Sequence, residues 1–205
     1  SATGTMMVSE SDGDNEVDAY GAAISTPRLN NQQFNFFGEK EHARVEPTTA
    51  LALGSTVTWE IWADLYITAT TTTTRNFLTK GSNSWVMTLP GSGTAVGTLE
   101  FQTNDGTGAV TRVFNVADDL ACHTFVLESG VISQYRNGSL VGTGVSGTVK
   151  TPLVAGTDFI GIGGFPNNGN NPFTGQLGSI KIYTAALDST DVLTNYNAQK
   201  SLYGL

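Results

Sequence analysis

Between Ser55 and Leu65 the chain reads STVTWEIWADL, and no other stretch constrains the fold as strongly. Val57, Trp59, Ile61, Ala63 and Leu65 fall at every second position, with Thr58, Glu60, Trp62 and Asp64 between them. A period of two sends alternate side chains to opposite faces of a strand. One face is therefore apolar and the other mixed, the pattern of a strand in a sandwich. From Phe34 onward short strand-like runs follow one another: FNFFGEKEHARVE, RNFLTKGSNSWVMTLPGSG, GTLEFQTND, TRVFNVADD, CHTFVLESGVISQYRNGSLVGTG and DFIGIGGF. Gly, Pro, Asn and Thr clusters separate them. Asn137 and Gly138 accept the positive φ of a two-residue type I′ turn, which folds Ile132–Arg136 onto Ser139–Thr143. Thr70–Thr74 is β-branched throughout and suits a strand extension or a rim crossing.

The closing segment GQLGSIKIYTAALDSTDVLTNYN, Gly175 to Asn197, behaves differently. Ile180 and Ile182 share a face, but Leu177 has the wrong parity for them, so Gly178 predicts a bulge. Asp188 then suits an N-cap, and Asp191 meets the positive end of the helix that follows. Val192, Leu193 and Tyr196 form its apolar stripe, so a short helix is expected to pack against the sandwich.

The chain has 205 residues and no central linker, which fits one domain over 31–205 preceded by an arm over 1–30. The arm is small, polar and acidic. Met6, Met7, Val8, Val17 and Tyr20 are apolar groups within it and the expected anchors for assembly with another subunit, either a second copy or a different protein. Strapping over its own sandwich is the alternative. Within the arm DGDNEVD fails as an EF-hand loop, because Val17 and Ala23 stand where glycine and glutamate are needed. Ten Lys and Arg against eighteen Asp and Glu give a charge of −8, which opposes nucleic-acid binding. Hydrophobic residues, 39% of the chain, come in runs too short to insert in a bilayer. Only 14% of residues are charged, so the exterior is one of hydroxyls and amides, suited to an extracellular or assembled particle.

Candidate chemistry is sparse. Glu60 and Asp64 share a strand face, but four residues at about 3.3 Å each separate them by roughly 13 Å, too far for a glycosidase pair. GIGGF, Gly161 to Phe165, lacks the spacing of a nucleotide loop. Cys122 is the one cysteine, expected as a small buried residue, and His123 beside it points to the opposite face. With His42 distant in sequence, no zinc set is evident. A binding role has better material. Phe165, Asn167, Asn168, Asn170 and Asn171 combine an aromatic ring with amides that match vicinal sugar hydroxyls, although Asn and Gly also serve simply as turn formers. Trp85 and Tyr135 are further candidate platforms for a sugar, with burial as the alternative. Asp105, Asp118, Asp119 and Asp158 lie beside turns and are candidate ligands for calcium.

The C-terminal pattern resembles the closing signature of laminin G-like domains in the concanavalin A-like superfamily, as found in phage and bacterial surface proteins. It is carried by Phe173, Gly175, Leu177, Ile180, Ile182, Tyr183, Ala186, Leu187, Asn195 and Tyr196. FNFFGEKEHARV, STVTWEIWADL and FVLESGVISQYRNGSLVGTG resemble the family's early strand, its tryptophan strand and its central hairpin, so the likeness runs from about Phe34 to Lys200. Phe36, Phe37, Gly38, Glu39, Lys40 and Glu41 depart from the family's aspartate-rich motif, and Cys122 stands where tryptophan is usual. The resemblance implies an all-β jelly-roll sandwich of two antiparallel sheets with one short C-terminal helix and an extended N-terminal arm. It leaves structural calcium as the one cofactor to consider. Together with the missing catalytic pair and the low surface charge, it leads us to expect a non-enzymatic structural or adhesive component on the exterior of a bacteriophage virion, capsid- or tail-associated. The alternatives are a secreted lectin-like module that holds cell-surface glycans and, more remotely, a glycan hydrolase or lyase.

Overall fold

The computed structural model describes residues 3–6, 34–37, 42–45, 55–65, 74–80, 84–91, 97–105, 107–116, 119–144, 159–165 and 171–205. They form thirteen strands and a C-terminal helix: β1 (Thr3–Met6), β2 (Phe34–Phe37), β3 (Ala43–Val45), β4 (Thr56–Asp64), β5 (Arg75–Lys80), β6 (Trp85–Leu89), β7 (Thr98–Asn104), β8 (Ala109–Asn115), β9 (Ala121–Glu128), β10 (Val131–Arg136), β11 (Ser139–Gly144), β12 (Ile160–Ile162), β13 (Thr174–Tyr183) and α1 (Ser189–Gln199). A 3-10 turn, Lys200–Tyr203, follows the helix.

Two antiparallel sheets result. One runs β1-β13-β4-β9-β10-β11, with β2 also on β13; the other runs β3-β12-β5-β6-β7-β8. The strand-like run FNFFGEKEHARVE thus divides, β2 joining the first sheet and β3 the second. β13 carries β1 along Ile180–Tyr183 and β2 along Thr174–Leu177, end to end on the edge away from β4. This is a jelly-roll sandwich.

Core residues follow from the alternation. Val57, Trp59, Ile61 and Ala63 of β4 join Phe125 and Leu127 of β9 on the inner face of the first sheet. Trp85, Met87, Leu99 and Phe101 face them from the second. Trp59 meets Trp85 and Phe101 edge-on, with centroids 5.6 and 4.9 Å apart, the arrangement that ring quadrupoles favour. The register of β13 on β4 slips between Leu177 and Ile180, and this bulge returns Leu177 to the buried side with Ile180 and Ile182. The hairpin turn takes φ of 51° at Asn137 and 78° at Gly138, as its sequence predicts.

The mixed face of β4 is buried too: Thr58, Glu60 and Trp62 are as enclosed as their apolar neighbours, because the C-terminal segment covers them. One expectation needs correction: the helix stripe is narrower than Val192, Leu193 and Tyr196. Val192 is buried and Tyr196 is half-buried against Trp62, but Leu193 remains 45% exposed, lying over the hairpin turn near Gly138.

Candidate functional site

The most elaborate polar arrangement lies on the outer face of the first sheet. Glu60 and Trp62 of β4 project there, beside Thr124 and Cys122 of β9, which pair with them across the strands. The helix that covers them starts where the sequence predicts: Asp188 accepts from the backbone amides of Thr190 and Asp191 at 2.8 and 2.9 Å. Just before it, Thr58 ties the chain down, its hydroxyl donating to the Ala185 carbonyl at 2.8 Å and accepting from the Leu187 amide at 3.0 Å.

Over this face the C-terminal segment lays both rings and amides. Tyr203 stacks on Trp62 with centroids 4.2 Å apart and planes 13° from parallel; Tyr196 stacks at 5.7 Å and 14°. Glu60 is 1% exposed, and its Oε1 accepts from Lys181 Nζ at 3.0 Å and Gln199 Nε2 at 2.7 Å. Asn195 donates to the Tyr183 hydroxyl at 3.1 Å. Burial, reinforced by the Glu60 carboxylate, pushes both the Tyr183 phenol and the Cys122 thiol well above their usual ranges. Cys122 is thus an inert buried thiol, with its Sγ 3.9 Å from Thr124 Oγ1. His123 pairs with Ile61 and faces the opposite side, into the core, where neither ring nitrogen has a hydrogen bond. Burial, aided by Arg136, lowers its pKa to about 4.

The asparagine loop is defined at its ends. Gly163 donates to the Phe77 carbonyl at 2.9 Å, Phe173 donates to Gly163 at 2.8 Å, and the Asn76 amide donates to the Asn171 carbonyl at 2.7 Å. Both margins are thereby pinned to β5. Asn171 is exposed with φ of 54°, and Phe165 is half-buried; Asn167, Asn168 and Asn170 lie outside the described residues. Gly175 is required here, since its φ is 148° and a Cβ would stand 2.5 Å from Phe173 Cζ.

Other candidates resolve individually. Trp85 is fully buried in the core and offers no platform, whereas Tyr135 is half-buried on β10. Asp105 Oδ1 accepts from the Thr107 amide and hydroxyl, a turn-forming use. Asp119 is exposed, Asp118 and Asp158 lie outside the described residues, and no three His, Cys, Asp or Glu gather as a metal set among the described residues. Of the assembly residues, Met6 is in β1, opposite Ile180 of the same chain, and Met7, Val8, Val17 and Tyr20 lie outside the described residues. No described helix is long and apolar enough to cross a membrane. Sequence reasoning singled out Glu60 but missed Trp62, Lys181, Gln199 and Tyr203. The available signal was a tryptophan in the polar phase of an alternating strand.

A sequence search of the curated proteins finds no match. Among solved structures, the fold is similar to that of a point mutant of HCR/D, at 15% identity and a TM-score of 0.64, over 88% of this chain and 46% of that one. The botulinum neurotoxin serotype G binding domain matches at 14% and 0.64, over 82% and 43%. The binding domain of Paraclostridial Mosquitocidal Protein 1 matches at 13% and 0.62, over 81% and 42%. This chain thus spans under half the length of each. The family model described as the concanavalin A-like lectin/glucanases superfamily, of the laminin G kind, matches residues 37–193, and the chain belongs to that family.

Proposed function

We propose that this chain is a non-enzymatic, lectin-like module that binds carbohydrate at an extracellular or particle surface. Membership of a lectin-containing family, over residues 37–193, is the observation that carries the reading. The fold likeness to toxin binding domains supports it: cell entry of botulinum neurotoxin type C depends on interaction with two ganglioside molecules. Hydrolysis is disfavoured by the position of Glu60, which is sealed beneath the helix and committed to Lys181 and Gln199. The sequence between Phe165 and Asn171 supplies asparagine amides, a chemistry suited to sugar hydroxyls.

Binding of the chain to an array of neutral and sialylated glycans, gangliosides included, tests the reading. We expect selective binding that falls when Asn167, Asn168 and Asn170 are replaced by alanine, and no release of reducing ends. Failure to bind any glycan would falsify it. Display on a virion through the arm is a finer proposal, supported by the low surface charge and the arm's composition. A chain starting near Leu29 should then lose assembly in analytical ultracentrifugation; equal assembly with and without the arm removes that proposal and leaves the lectin reading intact.

A further inference from the structure

We propose that Lys181 and Gln199 join in a self-catalysed isopeptide bond, with Glu60 as the proton carrier, which fastens the terminal helix covalently to β13. Such a bond is independent of carbohydrate binding.

A buried carboxylate here stands between an amine and a carboxamide. Glu60 Oε1 accepts from Lys181 Nζ at 3.0 Å and from Gln199 Nε2 at 2.7 Å. Sharing one acceptor atom keeps the amine within two hydrogen-bond lengths of the carboxamide, so no bimolecular encounter is needed. Lys181 lies directly across the strand pair from Glu60, while the Asp188 cap and buried Val192 fix the helix that presents Gln199. The neighbouring groups suit acyl transfer. Ser179 Oγ donates to Gln199 Oε1 at 3.4 Å, the atom on which negative charge develops when the carbonyl carbon is attacked. Gln199 Nε2, the nitrogen that would leave, also donates to the Asn195 carbonyl at 3.2 Å, and the Tyr183 hydroxyl adjoins the Glu60 carboxylate.

Water is kept from this group. Glu60 is 1% exposed; Thr58 holds Ala185 and Leu187 on one side of it, and Tyr196 and Tyr203 stack over Trp62 on the other. Aminolysis of the carboxamide is therefore favoured over its hydrolysis. A proton passing from ammonium to carboxylate in such a place leaves two neutral groups, which removes the desolvation penalty of a buried ion pair.

Two protons must leave the Lys181 nitrogen. Glu60 takes the first, and the free amine then attacks Gln199 Cδ, moving the carbonyl electron pair onto Oε1 beside Ser179. Glu60 passes its proton to Nε2 and takes the second from the attacking nitrogen; the Cδ–Nε2 bond breaks as the carbonyl re-forms. The departing ammonia collects the second proton from Glu60, so an ammonium ion leaves and the carboxylate is restored. One amide has replaced another, with no oxidant. An internal disulfide cannot serve the same purpose, because Cys122 is the one cysteine of the chain.

Intact-mass spectrometry of the full folded chain, followed by tryptic mapping, tests the bond. The chain should be lighter than its sequence by one ammonia, about 17 Da, with residues 181 and 199 in one branched peptide and no cleavage after Lys181. Lys181→Arg and Glu60→Gln should restore the full mass. Ser179→Ala should slow the loss after refolding from urea by on the order of tenfold. The unsubstituted chain decides the matter by itself if any variant folds poorly: full mass with tryptic cleavage after Lys181 overturns the proposal and leaves an ordinary ion pair. An ammonia loss that maps instead to a succinimide at Asn137–Gly138 overturns it as well, and a Lys181–Gln199 bond that persists in Glu60→Gln removes Glu60 from the chemistry.

Discussion

The two faces of β4 are equally buried and differently held. On the inner face, Val57, Trp59, Ile61 and Ala63 meet the opposite sheet through shape alone, with Trp59 wedged edge-on against Trp85 and Phe101. On the outer face, Thr58, Glu60 and Trp62 are each met by a specific partner from the C-terminal segment: the Ala185 carbonyl and Leu187 amide, Gln199, and the rings of Tyr196 and Tyr203. Burial between sheets is non-directional and shared among many neighbours. Burial under the terminal segment depends on a few directed contacts from one short element.

Removing residues 188–205 gives the sharpest version of the contrast. It uncovers Trp62 and takes Gln199 from Glu60, and the lost aromatic and aliphatic burial amounts to roughly 5 kcal/mol or more. Thermal denaturation should show a markedly lower Tm; an unchanged transition would mean that the outer face needs no cover. Trp59→Ala strikes the inner face instead and should cost about 3–5 kcal/mol in urea denaturation, through the cavity it leaves. A smaller loss than from Trp62→Ala would invert the comparison.

Acid provides the third probe, because His123 lies on the inner side with both nitrogens unpaired. Its folded-state pKa of about 4 lies below the usual 6.5, so the unfolded chain takes up the proton first. The stability this confers is complete above about pH 6.5 and declines as pH falls towards 4, by about 3 kcal/mol in all. Melting curves across that window should lose this component in His123→Leu; identical pH profiles for the two chains would sink the assignment. The smallest effect is Asp188→Ala, which removes the helix cap and should cost about 1 kcal/mol in the same denaturation assay. Comparable destabilisation from Asp191→Ala would show that the charge, not the cap, matters at this helix end.

The alternation of β4, the Asn137–Gly138 turn and the Asp188 cap were all legible in the sequence, because each depends on residues within one or two turns of chain. The bulge before Ile180 was legible as well, from the parity of Leu177. Its occupant was not: Tyr203, which fills the space at Gly178, lies 24 residues from Ser179, whose amide it binds. Leu193 also misled, since helical spacing specifies a stripe but not how much of it the sheet beneath can cover. The separation of FNFF and HARV into different sheets had no local signal at all. The attachment of Gly163 and Asn171 to β5 through Phe77 and Asn76 came only with the fold.

By itself, then, the sequence determined the sandwich, its inward-facing set, its hairpin and its terminal helix, because periodicity and turn chemistry act between near neighbours. Only the tertiary structure decided what becomes of the outer face of β4. Glu60 meets Gln199 across 139 residues, and Thr58 meets Leu187 across 129. No period or local propensity encodes which distant element will cover a polar face; that follows from how the strands are ordered and where the chain returns.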